Sequence, residues 1–189
     1  EEYDDFIKHE PKAQEYIKRL TGAAEFINNK DRYCLWLVDV SPKELRSMPL
    51  VMKRIELCRQ DRLAGAPDRQ KLADTPSIFR ETKNPSQYMV VPRVSSENRR
   101  YIPIGFLDDS IIPTDSATII EDATLYDFGI LTSNVHMAWM RTVAGRLKSD
   151  YRYSAKIVYN NFPWPEVTDA QKEKISKTAQ GILDARALY

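Results

Sequence analysis

Apolar positions recur along this chain with two different periods, and the switches between them outline its elements. Ala13, Tyr16, Ile17 and Leu20 fall at helical spacing after Pro11, which suits a first helical position, so a short helix is predicted that Gly22 would end. Arg32–Asp39 is almost continuously apolar, the pattern of a strand buried on both faces. Ser41-Pro42-Lys43-Glu44 is a capping box with proline at the first helical position. Pro49 restarts or kinks that helix; Val51, Ile55 and Cys58 carry it to about Leu63, where Gly65-Ala66-Pro67 stops it. Pro67, Pro76 and Pro85 make the next stretch a loop with one turn of helix.

A strand meander follows over Gln87–Val94, Tyr101–Phe106 and Ala117–Glu121, with Pro92 and Pro103 placed at sheet edges or bulges. Leu125, Phe128 and Leu131 form a helical stripe. Ser133 or Asn134 caps a further helix carrying Val135, Ala138, Trp139 and Val143, with Gly145 as its C-cap. Arg152–Tyr159, rich in aromatic and β-branched residues, reads as a strand. Asn160–Pro165 is non-helical because of its prolines, and Thr168-Asp169-Ala170-Gln171 opens a final helix to about Leu188. Helices mixed with consecutive strands define an α+β class: a mainly antiparallel sheet, flanking helices and a C-terminal helix.

The stretch from Lys148 to Tyr153 carries chemistry. In an extended chain side chains alternate faces, so Lys148, Asp150 and Arg152 would point one way and Ser149, Tyr151 and Tyr153 the other. Lys and Arg can donate to guanine O6 and N7, and Asp can accept from cytosine N4. The plain alternative is a charge ladder facing water.

Composition narrows the class. The chain is 42% apolar and 29% charged, as expected of a soluble globular protein, and no apolar run approaches the roughly 20 residues of a membrane span. Cys34 and Cys58 read as buried thiols, which fits an intracellular origin. Net charge is only +1, but cations gather between Arg93 and Lys156 while the acids concentrate at Asp108–Asp109 and Glu121–Asp127. A basic face of this kind is compatible with nucleic-acid contact. With no initiator Met and a start in a polar segment, the chain reads as a piece of a longer protein.

Catalytic motifs do not emerge. No phosphate-binding glycine loop, dinucleotide turn or nucleophile elbow occurs. Cys58 lies on a helix face without an evident base, and His136, between Val135 and Met137, suits a packing role. The carboxylate pairs Asp108-Asp109 and Glu121-Asp122 read as turn residues before metal ligands. Asn160-Asn161-Phe162-Pro163 lacks the prolines that an amino-methyltransferase motif requires. These residues describe a binding module with no catalytic group, cofactor site or metal site of its own. A protein–protein interaction or scaffold domain, presenting Trp36, Trp139 and Trp164, is the competing class.

Three blocks resemble the target-recognition region of single-chain DNA methyltransferases of type IIG (type IIL) restriction–modification systems. They are Glu25–Val38, Phe128–Arg141 and Gly145–Pro165, the last holding Gly-Arg-Leu-Lys-Ser-Asp-Tyr-Arg-Tyr-Ser and Asn-Asn-Phe-Pro-Trp-Pro. The resemblance implies an upstream domain that methylates adenine N6 with S-adenosylmethionine, with this chain selecting the double-stranded DNA sequence. It implies a linker from that domain over 1–24, a recognition domain over 25–165 and the start of a C-terminal helical segment over 166–189. Base reading would fall on Lys148, Asp150 and Arg152, with Arg93, Asp115 and Ser116 in the upstream positions. Phosphate contacts would fall on Arg99, Arg100, Arg141, Arg146 and Lys156. The implied setting is a prokaryotic cytoplasm, at the nucleoid and away from membranes.

Overall fold

A computed structural model describes residues 2–188. In chain order it contains α1 (Glu2–His9), a 3₁₀ segment (Pro11–Tyr16), β1 (Ile17–Thr21), α2 (Ala23–Asn28), β2 (Tyr33–Leu35), α3 (Pro42–Arg46), α4 (Pro49–Leu63) and α5 (Pro67–Gln70). Then come β3 (Gln87–Pro92), β4 (Val94–Ser95), β5 (Gly105–Asp108), β6 (Ile111–Pro113) and β7 (Ala117–Glu121). The chain continues with α6 (Leu125–Leu131), α7 (Asn134–Val143), β8 (Gly145–Leu147), β9 (Asp150–Arg152), a π-helical turn (Ala155–Tyr159) and α8 (Asp169–Arg186). The α+β class holds, and β1–β2, β3–β5, β3–β7, β4–β9 and β8–β9 pair antiparallel. Two units form: one from the chain up to Leu20 with Arg32–Asn84, the other from Thr21–Asp31 and the chain from Pro85 onward.

In the first unit Ala13, Leu37, Met48 and Val51 form a core with Phe6, Tyr16, Leu45 and Ile55 against them. Ser41 caps α3, accepting the Glu44 amide at 3.2 Å, which is the N-cap half of the predicted capping box. α4 begins at Pro49 but has Met48 at its N-cap, which brings no side-chain acceptor. Buried Glu10 supplies one, its carboxylate taking the Leu50 amide at 2.8 Å. At the other end Arg62 donates to the carbonyls of Leu72, Thr75 and Ile78, each at 2.7 Å, and so organises the proline-rich loop.

Here two expectations change. The apolar spacing over Ala13–Leu20 does not make one helix, because Ile17–Arg19 pair antiparallel with Tyr33–Leu35. The predicted strand over Arg32–Asp39 shortens to three residues: Asp39 takes φ 67, Leu37 turns into the helical core, and Trp36 stacks on Phe79 at 5.7 Å. Tyr33 is 41% exposed, so the strand is not buried on both faces.

The second unit is built around β3, the middle strand of the order β5-β3-β7. Its alternating side chains serve two cores. Met89 and Val91 pack with Phe128, Leu131, Met137 and Met140 of α6 and α7, while Tyr88 and Val90 pack with Phe26 of α2 and Leu107. Each such side chain, fully buried, contributes about 1.5–3 kcal/mol. Gly22 does not end a helix; it is the N-cap of α2, its amide donating to Glu25 at 2.9 Å. Pro92 lies at the last position of the central strand, where β7 still pairs but β5 does not. Pro103 keeps Ile102 and Ile104 out of the ladder, and both are buried in the core, so β5 starts only at Gly105.

Further on, α7 ends at Ala144 in extended conformation, and Gly145 opens β8 where a C-cap was expected. The strand expected over Arg152–Tyr159 ends at Arg152, because Ala155–Tyr159 winds into a π-helical turn that buries Val158 and gives its carbonyl to the Trp139 indole at 2.9 Å. Thr168 caps α8 with Gln171 as predicted.

α6 and α8 meet at Gly129. A Cβ there would lie 2.8 Å from Ile175 Cγ2 and 3.2 Å from Ala179 Cβ, both on stiff parts of α8. Gly129→Ala should therefore destabilise the chain by about 1–3 kcal/mol despite alanine's better helix propensity, seen as a lower melting temperature. An unchanged melting temperature would mean that α8 does not need this close approach.

Candidate nucleic-acid interface

Three separate segments of the second unit meet at the backbone of Arg93, which lies between β3 and β4. Its amide donates to the Ser116 carbonyl at 3.1 Å, and its carbonyl accepts from the Tyr153 amide at 2.8 Å. The register then pairs Val94 with Arg152 and Ser95 with Tyr151. Arg93, the Asp115-Ser116 turn and Arg152 are thereby brought together, and the side chains of Arg93, Asp115 and Arg152 are exposed. The Ser116 hydroxyl is engaged elsewhere, accepting from the Ala23 amide at 3.0 Å and bonded to the Thr114 hydroxyl at 2.8 Å. It closes the start of α2, where a Cβ on Gly22 would fall 2.2 Å from Ser116 Oγ.

β8 and β9 form a hairpin in the sheet order β4-β9-β8, closed by Lys148 and Ser149. Lys148 is therefore not in one strand row with Asp150 and Arg152. It stands exposed at the tip with φ 56, in a backbone region that a lysine occupies at a cost. Asp150 and Arg152 do share a face, opposite Leu147 and Gly145. Asp150 is half-buried and accepts the Glu97 amide at 3.3 Å, which ties the hairpin to the turn after β4.

On the other face Arg146 and Tyr151 are cross-strand partners. The Arg146 guanidinium lies 3.8 Å from the centre of the Tyr151 ring, donates to the Ser149 carbonyl at 2.7 Å and sits 3.8 Å from the Glu97 carboxylate. Arg146 thus holds the hairpin's shape. Arg141, in the last turn of α7, likewise donates to the Arg100 carbonyl. Arg99, Arg100 and Lys156 expose their side chains, Arg100 stacking 5.3 Å over Tyr101.

Beneath the hairpin lies His136, a structural residue as expected but fully buried, although the neighbouring Val135 is exposed. Its Nε2 is 3.1 Å from the Tyr153 hydroxyl, and the ring packs edge-on against Phe162 at 4.6 Å. Burial disfavours the imidazolium and brings its pKa down to about 4. The same burial raises the Tyr153 phenol above its ordinary value. The pair is a neutral prop that joins α7 to the residue bonded to Arg93. Among the described residues no group of three or more His, Cys, Asp or Glu is placed to hold a metal ion. Asp108 accepts from the Ser110 amide at 2.9 Å and from its hydroxyl at 2.5 Å, a turn arrangement. Cys34 and Cys58 are free thiols, and burial raises the Cys34 pKa to about 11.

Sequence reasoning missed Glu97, the Arg146–Tyr151 stack and the junction at Arg93. The junction at Arg93 and the Glu97 contact depend on pairings between segments tens of residues apart, for which local spacing carries no signal. The Arg146–Tyr151 stack depends on a hairpin where the sequence suggested one extended row.

An exposed polar edge assembled from three segments of one α+β unit is the form of a recognition module. The chain belongs to the family of MmeI target recognition domains, whose family model matches residues 1–166. DNA methyltransferase A of Bacillus subtilis (strain 168) is 44% identical over 187 residues, covering 98% of this chain and 21% of that protein. The solved structure of the type IIL restriction–modification enzyme MmeI in complex with DNA matches with a TM-score of 0.96 at 43% identity, covering 100% of this chain and 25% of that one. The chain therefore spans a quarter or less of the length of these relatives.

Two outcomes follow for this edge. Lys148→Gly should raise the melting temperature, because glycine relieves about 1 kcal/mol of left-handed strain at the hairpin tip. Neutral His136 takes up its proton more readily once unfolded, so stability should fall by about 1.4 kcal/mol per pH unit from roughly pH 6.5 down towards 4. His136→Gln, which preserves a neutral donor-acceptor, should flatten that part of a melting-temperature–pH profile relative to wild type.

Proposed function

We propose that this chain is the part of a site-specific DNA methyltransferase that selects the DNA sequence. The observation that carries the reading is the convergence of three segments on the backbone of Arg93, in a chain of the MmeI target-recognition family. Lys148 at the tip, Arg152 and Asp150 on β9, and Arg93 beside them form a projection that suits the major groove. There each base pair shows a distinct pattern of donors, acceptors and methyl groups. Asp115 extends the same edge. Ser116 contributes through position and backbone, its hydroxyl being engaged with α2.

Arg99, Arg100 and Lys156 are assigned to phosphates, where they set register without reading sequence. Arg146 supports the hairpin that carries Lys148, Arg141 supports the loop that carries Arg99 and Arg100, and both touch phosphate only with donors left over from that task. Methyl transfer to adenine N6, with S-adenosylmethionine as donor, belongs to a methyltransferase domain in the longer chain, reached through residues 1–24. The target base must be flipped into that domain, so the recognition edge acts by holding the duplex in one register while this happens. A bacterial cytoplasm is the setting this reading implies.

The division of labour is testable by titrating binding of the full-length protein to its selected duplex and to single-base variants. Lys148→Ala or Arg152→Ala should relax the preference at one base pair, by about 1–3 kcal/mol. Arg99→Ala or Lys156→Ala should weaken binding to every duplex and lower the salt slope by about one per lost contact. Equal losses on all duplexes for all four substitutions would sink the assignment.

A further inference from the structure

Gly145 stands in β8 directly across from Arg152, on the face that also bears Asp150 and Leu147. Three ordinary reasons for a glycine fail at this position. Its backbone is not in the left-handed region, since no glycine of the described chain has positive φ. It does not cap α7, whose C-cap is Ala144. Nor does the fold need the space: a Cβ built on Gly145 would meet no other heavy atom within 4 Å, whereas one on Gly22, Gly105 or Gly129 would meet a neighbour at 3.0 Å or less. A glycine inside a strand carries a conformational cost and commonly marks the close approach of something from outside.

We propose that Gly145 is a specificity-determining position, kept bare so that the base pair contacted by Arg152 can come flush with the strand. This rests on the reading of the chain as a DNA-recognition domain and deepens it. The surroundings favour a base edge over a phosphate. Two residues on, Leu147 lies on the same face and is 53% exposed, and Val94 flanks Arg152 on the opposite side. A phosphate gains nothing from an exposed leucine, whereas a thymine methyl or the face of a base edge does. Arg152, the cation of this face, is then set between two small or apolar neighbours, so its guanidinium can lie flat towards the groove floor. Any side chain at 145 would occupy the layer in which the base pair must sit.

The test uses the full-length protein and a pool of duplexes randomised over the recognition site. Wild type is first selected on the pool, and its preferred duplex and single-base variants are then titrated against Gly145→Ala and Gly145→Val. Both variants should melt at or above the wild-type temperature. Their affinity for the preferred duplex should fall roughly ten- to hundred-fold, with the loss concentrated at the base pair whose preference Arg152→Ala also relaxes. In an Arg152→Ala background the same substitutions should cost far less. A wild type that selects no sequence overturns the domain reading itself. A selective wild type whose Gly145→Val variant binds alike overturns this inference alone, as does a lower melting temperature of Gly145→Ala, or an equal loss on every duplex.

Discussion

The backbone of a single residue, Arg93, holds the working edge of this domain together. A backbone residue has one donor and one acceptor, and a buried or half-buried one must satisfy both. Arg93 satisfies its donor on Ser116 and its acceptor on Tyr153, so one residue ties the turn before β7 to the end of β9. Once those bonds exist, the register of the β4-β9-β8 sheet follows, and with it which side chains of the hairpin face outward. The hydroxyl of Tyr153 then meets His136 inside the core, so the junction is anchored in both directions.

Rigidity here comes mainly from residues behind the projecting edge, with Asp150 serving both the edge and its support. The Arg146–Tyr151 stack and the bond from Asp150 to the Glu97 amide fix the hairpin from one side. The prop of His136, Tyr153 and Phe162 fixes it from below. A side chain that must recognise a hydrogen-bond pattern loses affinity if it has to be ordered on binding, so an immobilised support is worth more than an extra contact. Lys148, held with φ 56, shows the other side of this arrangement: a strained backbone position persists because the pairs around it over-determine the turn.

The arginines of the basic stretch separate into two kinds by what they touch. Arg141 and Arg146 make bonds to backbone carbonyls of the very loops they support. Arg99, Arg100 and Lys156 stay at the surface. Sequence spacing cannot draw that line, because all five are long cations in polar surroundings. Five donors fanned out in one plane let a guanidinium serve as a structural clamp as readily as a ligand for phosphate. Arg62 in the first unit, bonded to three carbonyls, is a further case.

Local chemistry alone determined much of this chain. Caps with their proline or glutamine partners placed the starts of α3 and α8, the Ser133 cap placed α7, and the apolar stripe of Leu125, Phe128 and Leu131 placed α6. These signals act over three or four residues, within the reach of one helical turn. The Gly-Arg-Leu-Lys-Ser-Asp-Tyr-Arg block also marked the functional stretch through its resemblance to a known recognition region. Tertiary structure decided the rest. Whether Ile17–Arg19 wind or pair depends on β2, and whether Ala155–Tyr159 extend depends on the core around Val158. The engagement of Ser116 with α2 likewise follows from a partner far away in sequence, and Lys148 stands at a tip because β8 folds back on β9, a sheet that β4 completes from a distance. Periodicity reports which side chains want burial; which backbone partner arrives to pair with them is settled only when distant segments meet.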